Sequence, residues 1–409
     1  MRILHVNKFL YRRGGAESYM LDLAGLQAAA GHQVEFFGMA HPDNPPQRYA
    51  SHFPAHVQLE PPPARADRRL GAAARMVWSP SARRGMEAVL RAFRPDVVHL
   101  HNVYHQLSPS VLRPLVQQRI PAAMTLHDYK LVCPTYLFLA QGRVCEACLD
   151  GRFRHAVERR CKDGSLGASA MLAFESAVHR RTGAYDPVQV FICPSRFLAA
   201  KVTQGGVYPE RLQLLPSFVD TRGVAPKAQP GGGIVYAGRL SHEKGVDVLV
   251  EAIARLGHGR LEVAGDGPER SRLEALAATR APGRVRFHGR MPRERVLDLL
   301  RAGAVAAMPS RCHENQPMAV LEAFGCGVPV VTTNLGGLPE LVDGGCGAVV
   351  PAEDPGAMAA ALGRLLAQPE RTWAMGRAAR SKAERELDPQ HHLAQLELLY
   401  QQAARSRAA

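Results

Sequence analysis

Residues 304–333 read AVAAMPSRCHENQPMAVLEAFGCGVPVVTT. Two short apolar runs, AVAAMP (304–309) and VPVVTT (328–333), flank a segment with helical character. Strand, helix and strand in that order form a parallel crossover unit and place the chain in the α/β class. Proline is tolerated where a helix begins and penalised inside one, so Pro317 predicts a helix over roughly Pro317 to Phe324, ended by Gly325 and Gly327. Glu314 then lies in the loop before the helix, and Glu322 rides on it. Between them the first-turn amides near Met318 and Ala319 have no intrahelical acceptor, point outward and favour an anion. A carboxylate, an anion cradle and a second carboxylate suit the two ends of one extended ligand: a sugar, a diphosphate and a ribose. The plainer alternative is a surface helix bearing two solvated glutamates.

The same alternation extends both ways along the chain. Upstream lie GIVYAG (233–238), a helix from about Gly245 to Leu256, RLEVAG (260–265), RVRFHG (284–289) and a helix near Arg293–Ala302. Before them, TRGVAPKAQPGGG (221–233) has the composition of a flexible linker. Ahead of that stretch the pattern already occurs once. RILHV (2–6) is followed by the turn Gly14-Gly15, a helix from Ala16 to about Ala30, and QVEFF. DVVHL (96–100), AAMTL (122–126), VFICPS (190–195) and LQLLPS (212–217) read as further strands. Pro42 to Ala64 reads as loop and Arg65 to Phe93 as largely helical. The expected organisation is two doubly wound Rossmann-like domains, 1–220 and 234–386, joined by a linker at 221–233. Final helices from about Pro369 cross back, with 387–409 packing on the first domain. Two such sheets facing one another leave a cleft at the carboxyl ends of their strands, where these folds bind ligands.

At 409 residues the chain is long enough for two large cores. Its 46% hydrophobic and 22% charged residues are those of an ordinary globular protein. No run approaches a membrane-spanning length, and MRILHVNKFLYRRGG lacks the apolar core of a signal peptide. Eight cysteines without a secretion signal point to a reducing cytoplasm. The net charge of +14 invites an anionic partner. Nucleic acid is disfavoured, because no basic stripe is interleaved with aromatics. An anionic membrane surface is the second candidate, through the basic stretch 65–94 and Arg152, Arg154, Arg159, Arg160 and Lys162. An arginine-rich solvated surface is the third.

Four constellations carry chemistry. Gly238-Arg239-Leu240 and Glu243-Lys244-Gly245 follow a strand, so Arg239 and Lys244 emerge where a diphosphate would sit. A guanidinium fork and an ammonium together neutralise a leaving diphosphate without metal. No Asp-x-Asp occurs anywhere in the chain, so the commonest carboxylate holder of a divalent cation is missing. Gly14-Gly15, with Glu17 just beyond, lets backbone approach a phosphate or sugar closely, though it is not a G-x-G-x-x-G fingerprint. His127-Asp128 ends a strand and could bond a sugar hydroxyl or support proton transfer, with His99, His101 and Asn102 ending the preceding strand. Cys133, Cys145, Cys148 and Cys161, in an insertion over about 130–165, carry a central C-x2-C and resemble a structural zinc site. Reduced cysteines without metal are the alternative.

Taken together, Gly14-Gly15, His127, Gly238-Arg239-Leu240…Lys244-Gly245, Gly265-Asp266-Gly267-Pro268 and Glu314-x7-Glu322 with Cys326-Gly327-Val328-Pro329-Val330-Val331 resemble a family 4 glycosyltransferase with the GT-B fold. The resemblance covers nearly the whole chain. It implies transfer of a sugar from a nucleotide-sugar donor with retention of configuration and no catalytic metal. By matched position it implies that Arg239 and Lys244 hold the diphosphate, Glu322 the ribose hydroxyls and Glu314 the sugar hydroxyls. Met318 and Ala319 would offer backbone amides to the phosphates, Gly14-Gly15 would approach the donor, and His127 would contact the donor sugar near the reacting carbon. Two departures stand out. Asn315-Gln316 replace the glycine and bulky apolar residue often found after the first glutamate, and Ser217-Phe218-Val219-Asp220 replaces Asn-Gly-Val-Asp.

The leading expectation is a retaining glycosyltransferase of cell-surface polysaccharide assembly. It would be cytoplasmic or peripheral at the inner membrane face, with a glycan or lipid-linked acceptor. A nucleotide-sugar epimerase of the same fold, and a non-catalytic nucleotide-sugar-binding protein, are the alternatives.

Overall fold

The computed structural model describes residues 1–59, 65–343 and 345–408, so residues 60–64 of the loop expected over 42–64 lie outside the described residues. The chain divides into two compact units. The first comprises Met1–Gln141, Glu146–Leu215 and Gln390–Ala409, and the second Gly142–Cys145 and Pro216–Pro389.

The first unit is built on a six-stranded sheet in the order Gln33–Phe37, Arg2–Val6, Val97–Leu100, Ala122–Thr125, Val190–Cys193, Leu212–Leu214. Neighbouring strands in this sheet pair in parallel. Four-residue runs such as VVHL and VFIC are buried at every position, which is how a strand covered on both faces reads. Arg65 to Phe93, expected as largely helical, forms two helices, Ala66–Val77 and Pro80–Phe93. The break has a local cause: Ser79 caps the second helix by accepting from the Ala82 amide, and Pro80 fits its first turn. The last helix, Pro389–Ala408, belongs almost wholly to this unit. Its Tyr400 hydroxyl accepts from the Gln27 amide at 3.0 Å, and its Glu397 meets His32 at 2.7 Å.

The second unit carries a parallel sheet in the order Val285–Gly289, Leu261–Ala264, Ile234–Ala237, Val305–Met308, Val330–Thr333, Gly347–Val350. Side chains alternate between two cores, as the two-residue period of a strand requires. Ile234, Tyr236, Val305, Ala307 and Val331 pack with Leu249, Ile253, Met358 and Leu362 on one face. Val235, Ala306, Met308 and Val330 pack with Val320, Phe324 and Ala379 on the other. Each fully buried aliphatic side chain contributes about 1.5–3 kcal/mol relative to exposure.

Two expectations change here. The helix runs Met318–Gly325, and Pro317 is its cap residue in extended conformation (φ −70°, ψ 125°) rather than its first helical residue. A proline preset to that φ can stand on either side of the boundary; ψ places it outside. The stretch 221–233 is not a loose tether. Arg380 donates to the carbonyls of Thr221, Val224 and Gly325, and the Lys227 amide donates to Cys326. The Lys227 ammonium, on a buried side chain, donates to the carbonyls of Gly303 and Ala304. Composition signalled flexibility, but cations that capture backbone carbonyls hold the strap against the second unit.

Glu314 is held by a second backbone device. It forms an isolated parallel bridge with Gly336, and the Gly337 amide donates to its carbonyl at 2.7 Å. Gly336 sits at φ 66°, and a Cβ there would lie 2.0 Å from the Glu314 carbonyl oxygen. Gly336→Ala should therefore lose about 1–3 kcal/mol or more of unfolding free energy in a urea titration. A second expectation concerns pH. Burial pushes the Lys227 ammonium from 10.5 down to about 8. Between those values the unfolded chain holds a proton that the folded chain has released, so stability rises with pH across the window. Thermal unfolding should show the advantage of wild type over Lys227→Met growing from about pH 7.5 to about pH 9.5. A flat difference would contradict the burial of this charge.

Candidate functional site

In the second unit the strand order reverses between Ile234–Ala237 and Val305–Met308. Helices following these two strands pack on opposite faces, so their loops diverge and leave a crevice at the carboxyl ends. The loop after the first strand carries Gly238, Arg239 and Lys244. The loop after the second carries Ser310 and Glu314, and the helix Met318–Gly325 follows. The sequence-derived set for this unit thus converges on its switch point.

The Lys244 ammonium lies 2.6 Å from Glu314 Oε1, and the Ser310 hydroxyl donates to the same oxygen at 2.6 Å. Burial acts to lower the Lys244 pKa, but the adjacent Glu314 carboxylate outweighs it and the net shift is upward. Lys244 is therefore a fixed cation, with 24% of its side chain still exposed. Gly245, next to it, adopts φ 65°, and a Cβ there would lie 2.1 Å from the Pro309 carbonyl oxygen; this close approach joins the two loops. Arg239 is exposed, and no ion pair or side-chain hydrogen bond engages its guanidinium among the described residues. Its backbone is fixed instead, since the Tyr236 hydroxyl donates to its carbonyl at 2.9 Å.

Arg311, on the loop after Val305–Met308, is a third cation of the site, and it is buried. It donates to Asp247 at 3.0 Å, to Glu353 and to the His242 carbonyl, so it braces the loop rather than facing a ligand. On the helix, Glu322 accepts from Arg293 Nε at 2.8 Å, with 16% of its side chain exposed. Met318 and Ala319 open the helix and are half-buried. Gln316 Oε1 accepts from the Ser217 backbone amide, so the two departures from the family pattern touch each other. Sequence reasoning missed Ser310, Arg293, Gly336 and this Gln316–Ser217 contact. Arg293 at a helix start was legible only as a solvated cation, Ser310 acts through a side-chain bond four residues along that no motif marks, and the other two act through long-range contacts with backbone that leave no local pattern.

Gly14, Gly15 and His127 belong to the first unit. Gly15 begins the helix Gly15–Ala29 and Gly14 caps it in extended conformation with no side-chain cap. Glu17, in its first turn, is buried and accepts from the Asn7 side-chain amide at 3.3 Å. His127 is half-buried at the end of Ala122–Thr125, and burial pushes its imidazole down to about 3, leaving it neutral. Beside it, burial raises the Asp128 carboxyl to about 6 against the pull of Lys8, and the Tyr104 hydroxyl donates to it. A carboxyl titrating near neutrality next to a neutral imidazole is the arrangement that proton transfer uses.

Behind His127 lies a stack of three fully buried histidines. His5 and His99 are register partners on neighbouring strands, and His101 stacks on both, with ring centroids 5.3 and 4.4 Å apart. Among the described residues these are the one set of three metal-ligand side chains with donor atoms gathered within 4.8 Å. All six of their ring nitrogens already have hydrogen-bond partners within the chain, which argues against metal ligation. Cys133, Cys148 and Cys161 do not form a second such set within the first unit. Cys133 belongs to the main core and meets the Thr135 hydroxyl, while Cys148 and Cys161 share a small cluster with Phe153 and Ala156. Cys145 lies on the segment Gly142–Cys145 of the second unit.

Comparison with known proteins gives these residues a context. Residues 13–222 match the family model Glycosyltransferase Family 4, and residues 231–368 match Glycosyl transferases group 1. The chain is 39% identical over 163 residues to a D-inositol 3-phosphate glycosyltransferase of Corynebacterium jeikeium, a match spanning 37% of this chain and 39% of that one. It is 29% identical over 353 residues to a GDP-mannose-dependent alpha-(1-6)-phosphatidylinositol monomannoside mannosyltransferase of Mycolicibacterium smegmatis, covering 74% of this chain and 90% of that one. The structure resembles sucrose-phosphate synthase from Thermosynechococcus elongatus with a TM-score of 0.74 at 22% identity, over 98% of both chains. That likeness shows the GT-B fold. With one family model spanning half of its length and a second covering most of the remainder, the chain belongs to glycosyltransferase family 4.

Proposed function

We propose that this protein is a retaining, metal-independent glycosyltransferase that moves a sugar from a nucleotide-sugar donor to a glycan or lipid-linked acceptor. The observation that carries this reading is the cluster at the switch point of the second unit. There Arg239 is exposed and unpaired, Lys244 is a fixed cation, and two carboxylates flank an open helix N-terminus. Each part has a task in donor binding. Arg239 offers a bidentate fork to the diphosphate, and Lys244 adds a point charge. The amides of Met318 and Ala319 face the phosphates at the helix start. Glu314 accepts from sugar hydroxyls and Glu322 from ribose hydroxyls. As the sugar–oxygen bond breaks, negative charge grows on the leaving diphosphate, and the two cations stabilise that charge most where it is largest.

The ion pair has a consequence for binding. Without ligand, Lys244 is committed to Glu314, so an arriving diphosphate shares that ammonium rather than finding it free. His127, neutral and half-buried, suits contact with the donor sugar near the reacting carbon. The names of the relatives support a donor of the GDP-mannose class and a phosphoinositide-type acceptor as the first to try.

An anionic membrane surface is the proposed setting. No described helix is long and apolar enough to cross a membrane. The helices Ala66–Val77 and Leu166–Arg181 pack on each other in the first unit and expose Leu70, Leu166 and Phe174, and Trp78, which ends the first of them, is exposed as well. Exposed Arg75, Arg159 and Arg160 belong to the same basic segments. Apolar side chains beside cations are what a peripheral contact with anionic lipid requires.

A thermal-shift screen against UDP- and GDP-sugars identifies the donor, since a bound donor raises apparent stability. With that donor, Arg239→Ala and Lys244→Ala should each lower kcat/KM by roughly 10²-fold or more. Unchanged kinetics in both variants would remove the site assignment, and interconverted donor sugar without transfer would favour the epimerase. In flotation, the protein should rise with vesicles containing phosphatidylglycerol and be released by salt. Trp78→Ser combined with Phe174→Ser should weaken that binding, and failure of wild type to float would remove the membrane setting.

A further inference from the structure

His127 is the outer end of a hydrogen-bonded relay whose inner end is the side-chain amide of Gln27. His5 Nε2 lies 2.7 Å from Gln27 Oε1, and His5 Nδ1 lies 3.0 Å from His101 Nε2. His101 Nδ1 then lies 3.0 Å from His127 Nε2. A second arm leaves the same amide. Gln27 Nε2 donates to the Tyr400 hydroxyl at 3.0 Å, that hydroxyl lies 2.7 Å from His99 Nδ1, and His99 Nε2 lies 2.7 Å from Thr125 Oγ1. Gln27, His5, His99 and His101 are fully buried.

A neutral imidazole has one N–H and one lone pair, so each ring transmits the direction of donation it receives. The oxygen of Gln27 can only accept, so His5 carries its proton on Nε2 and accepts at Nδ1. His101 must then donate from Nε2 and accept at Nδ1, and His127 must donate from Nε2. The lone pair of His127 is left on Nδ1, which has no hydrogen-bond partner among the described residues. Rotating the Gln27 amide would reverse every bond and put a proton on that Nδ1. In this relay Gln27 alone cannot exchange donor and acceptor ends without such a rotation, and a rotation would break its 3.0 Å bond to Tyr400 unless that hydroxyl and the His99 arm reversed with it. Burial keeps His5, His101 and His127 neutral, as the relay requires.

We propose that Gln27 is a positioning residue that sets the tautomer of His127 through His5 and His101, so that His127 presents an acceptor to a donor-sugar hydroxyl. This rests on the reading of His127 as a sugar contact, and the experiment separates the two.

The full-length protein is labelled with 15N at histidine, and two-bond 1H–15N spectra report which nitrogen of each ring is protonated. The His127 signal is identified by its loss in His127→Gln. Wild type should show His127 protonated on Nε2. Tyr400→Phe frees the Gln27 amide to rotate and should add a second His127 signal protonated on Nδ1. It should also lower kcat about tenfold with little change in KM, using the donor selected by the thermal-shift screen. Gln27→Glu still accepts from His5 but can no longer donate to Tyr400, so His127 should keep its proton on Nε2 while that of His99 moves to Nδ1. Loss of a buried contact alone would not separate the two histidines in this way. If Gln27→Glu does not fold, Tyr400→Phe decides. A wild-type His127 protonated on Nδ1, or a single unchanged tautomer in Tyr400→Phe, overturns the relay. A second tautomer with unchanged kcat upholds the relay and overturns the sugar contact of His127.

Discussion

The Lys244–Glu314 ion pair joins two loops that the topology of the second sheet sends in opposite directions. Without it, Arg239 and Lys244 would stand on one lip of the crevice and Glu314 on the other with no contact between them. Gly245 and Gly336 bring the backbones close enough for the pair to form, Ser310 orients the carboxylate, and buried Arg311 braces the same loop from behind. The site is thus assembled from rigid strand ends and short, pinned loops. Electrostatic stabilisation of a transition state depends on that rigidity, because donors that must reorganise lose much of their effect.

The first unit solves a different problem at its own switch point. His5 and His99 lie on adjacent central strands, where the sheet is covered on both faces and a polar ring has no access to water. A buried polar group must find partners within the protein or cost several kcal/mol. Here the partners of His5 are His101 and Gln27, and those of His99 are Thr125 and Tyr400; Gln27 and Tyr400 come from helices. Because Tyr400 lies on the last helix, the return of the chain to the first unit completes the polar core as well as covering it.

Much of this was legible in the sequence, for identifiable reasons. Fully buried parallel strands read as uninterrupted apolar runs, and the polar residues just after them, Arg239, Lys244 and His127, stood out because strand ends are where such sheets bind ligands, while Glu314 stood out through its spacing from Glu322 across a helix start. The position of Pro317 shifted by one residue, since its fixed φ suits both sides of a helix boundary and only ψ separates them. The strap at 221–233 was misread because glycine and proline report local freedom, while Arg380 and Lys227 pin it through contacts with residues far along the chain. Arg293 and Gly336 were invisible for the same reason. The role of each depends on a partner, Glu322 or Glu314, that no local spacing connects to it.

The Gln316–Ser217 contact has a bearing on how such proteins could be re-engineered. On the proposed reading the residues immediately after Glu314 are the natural place to alter sugar preference, yet Gln316 is tied to the Ser217 backbone just ahead of the strap. A loop transplanted from a relative would arrive without its counterpart, leaving the Ser217 amide without its acceptor or the new side chain against buried Phe218. Residues 217–220 and 315–316 therefore behave as one exchangeable module. On the proposed reading of the site, donor choice and the anchoring of the strap would be inherited together, and a chimera that respects this module boundary would keep both.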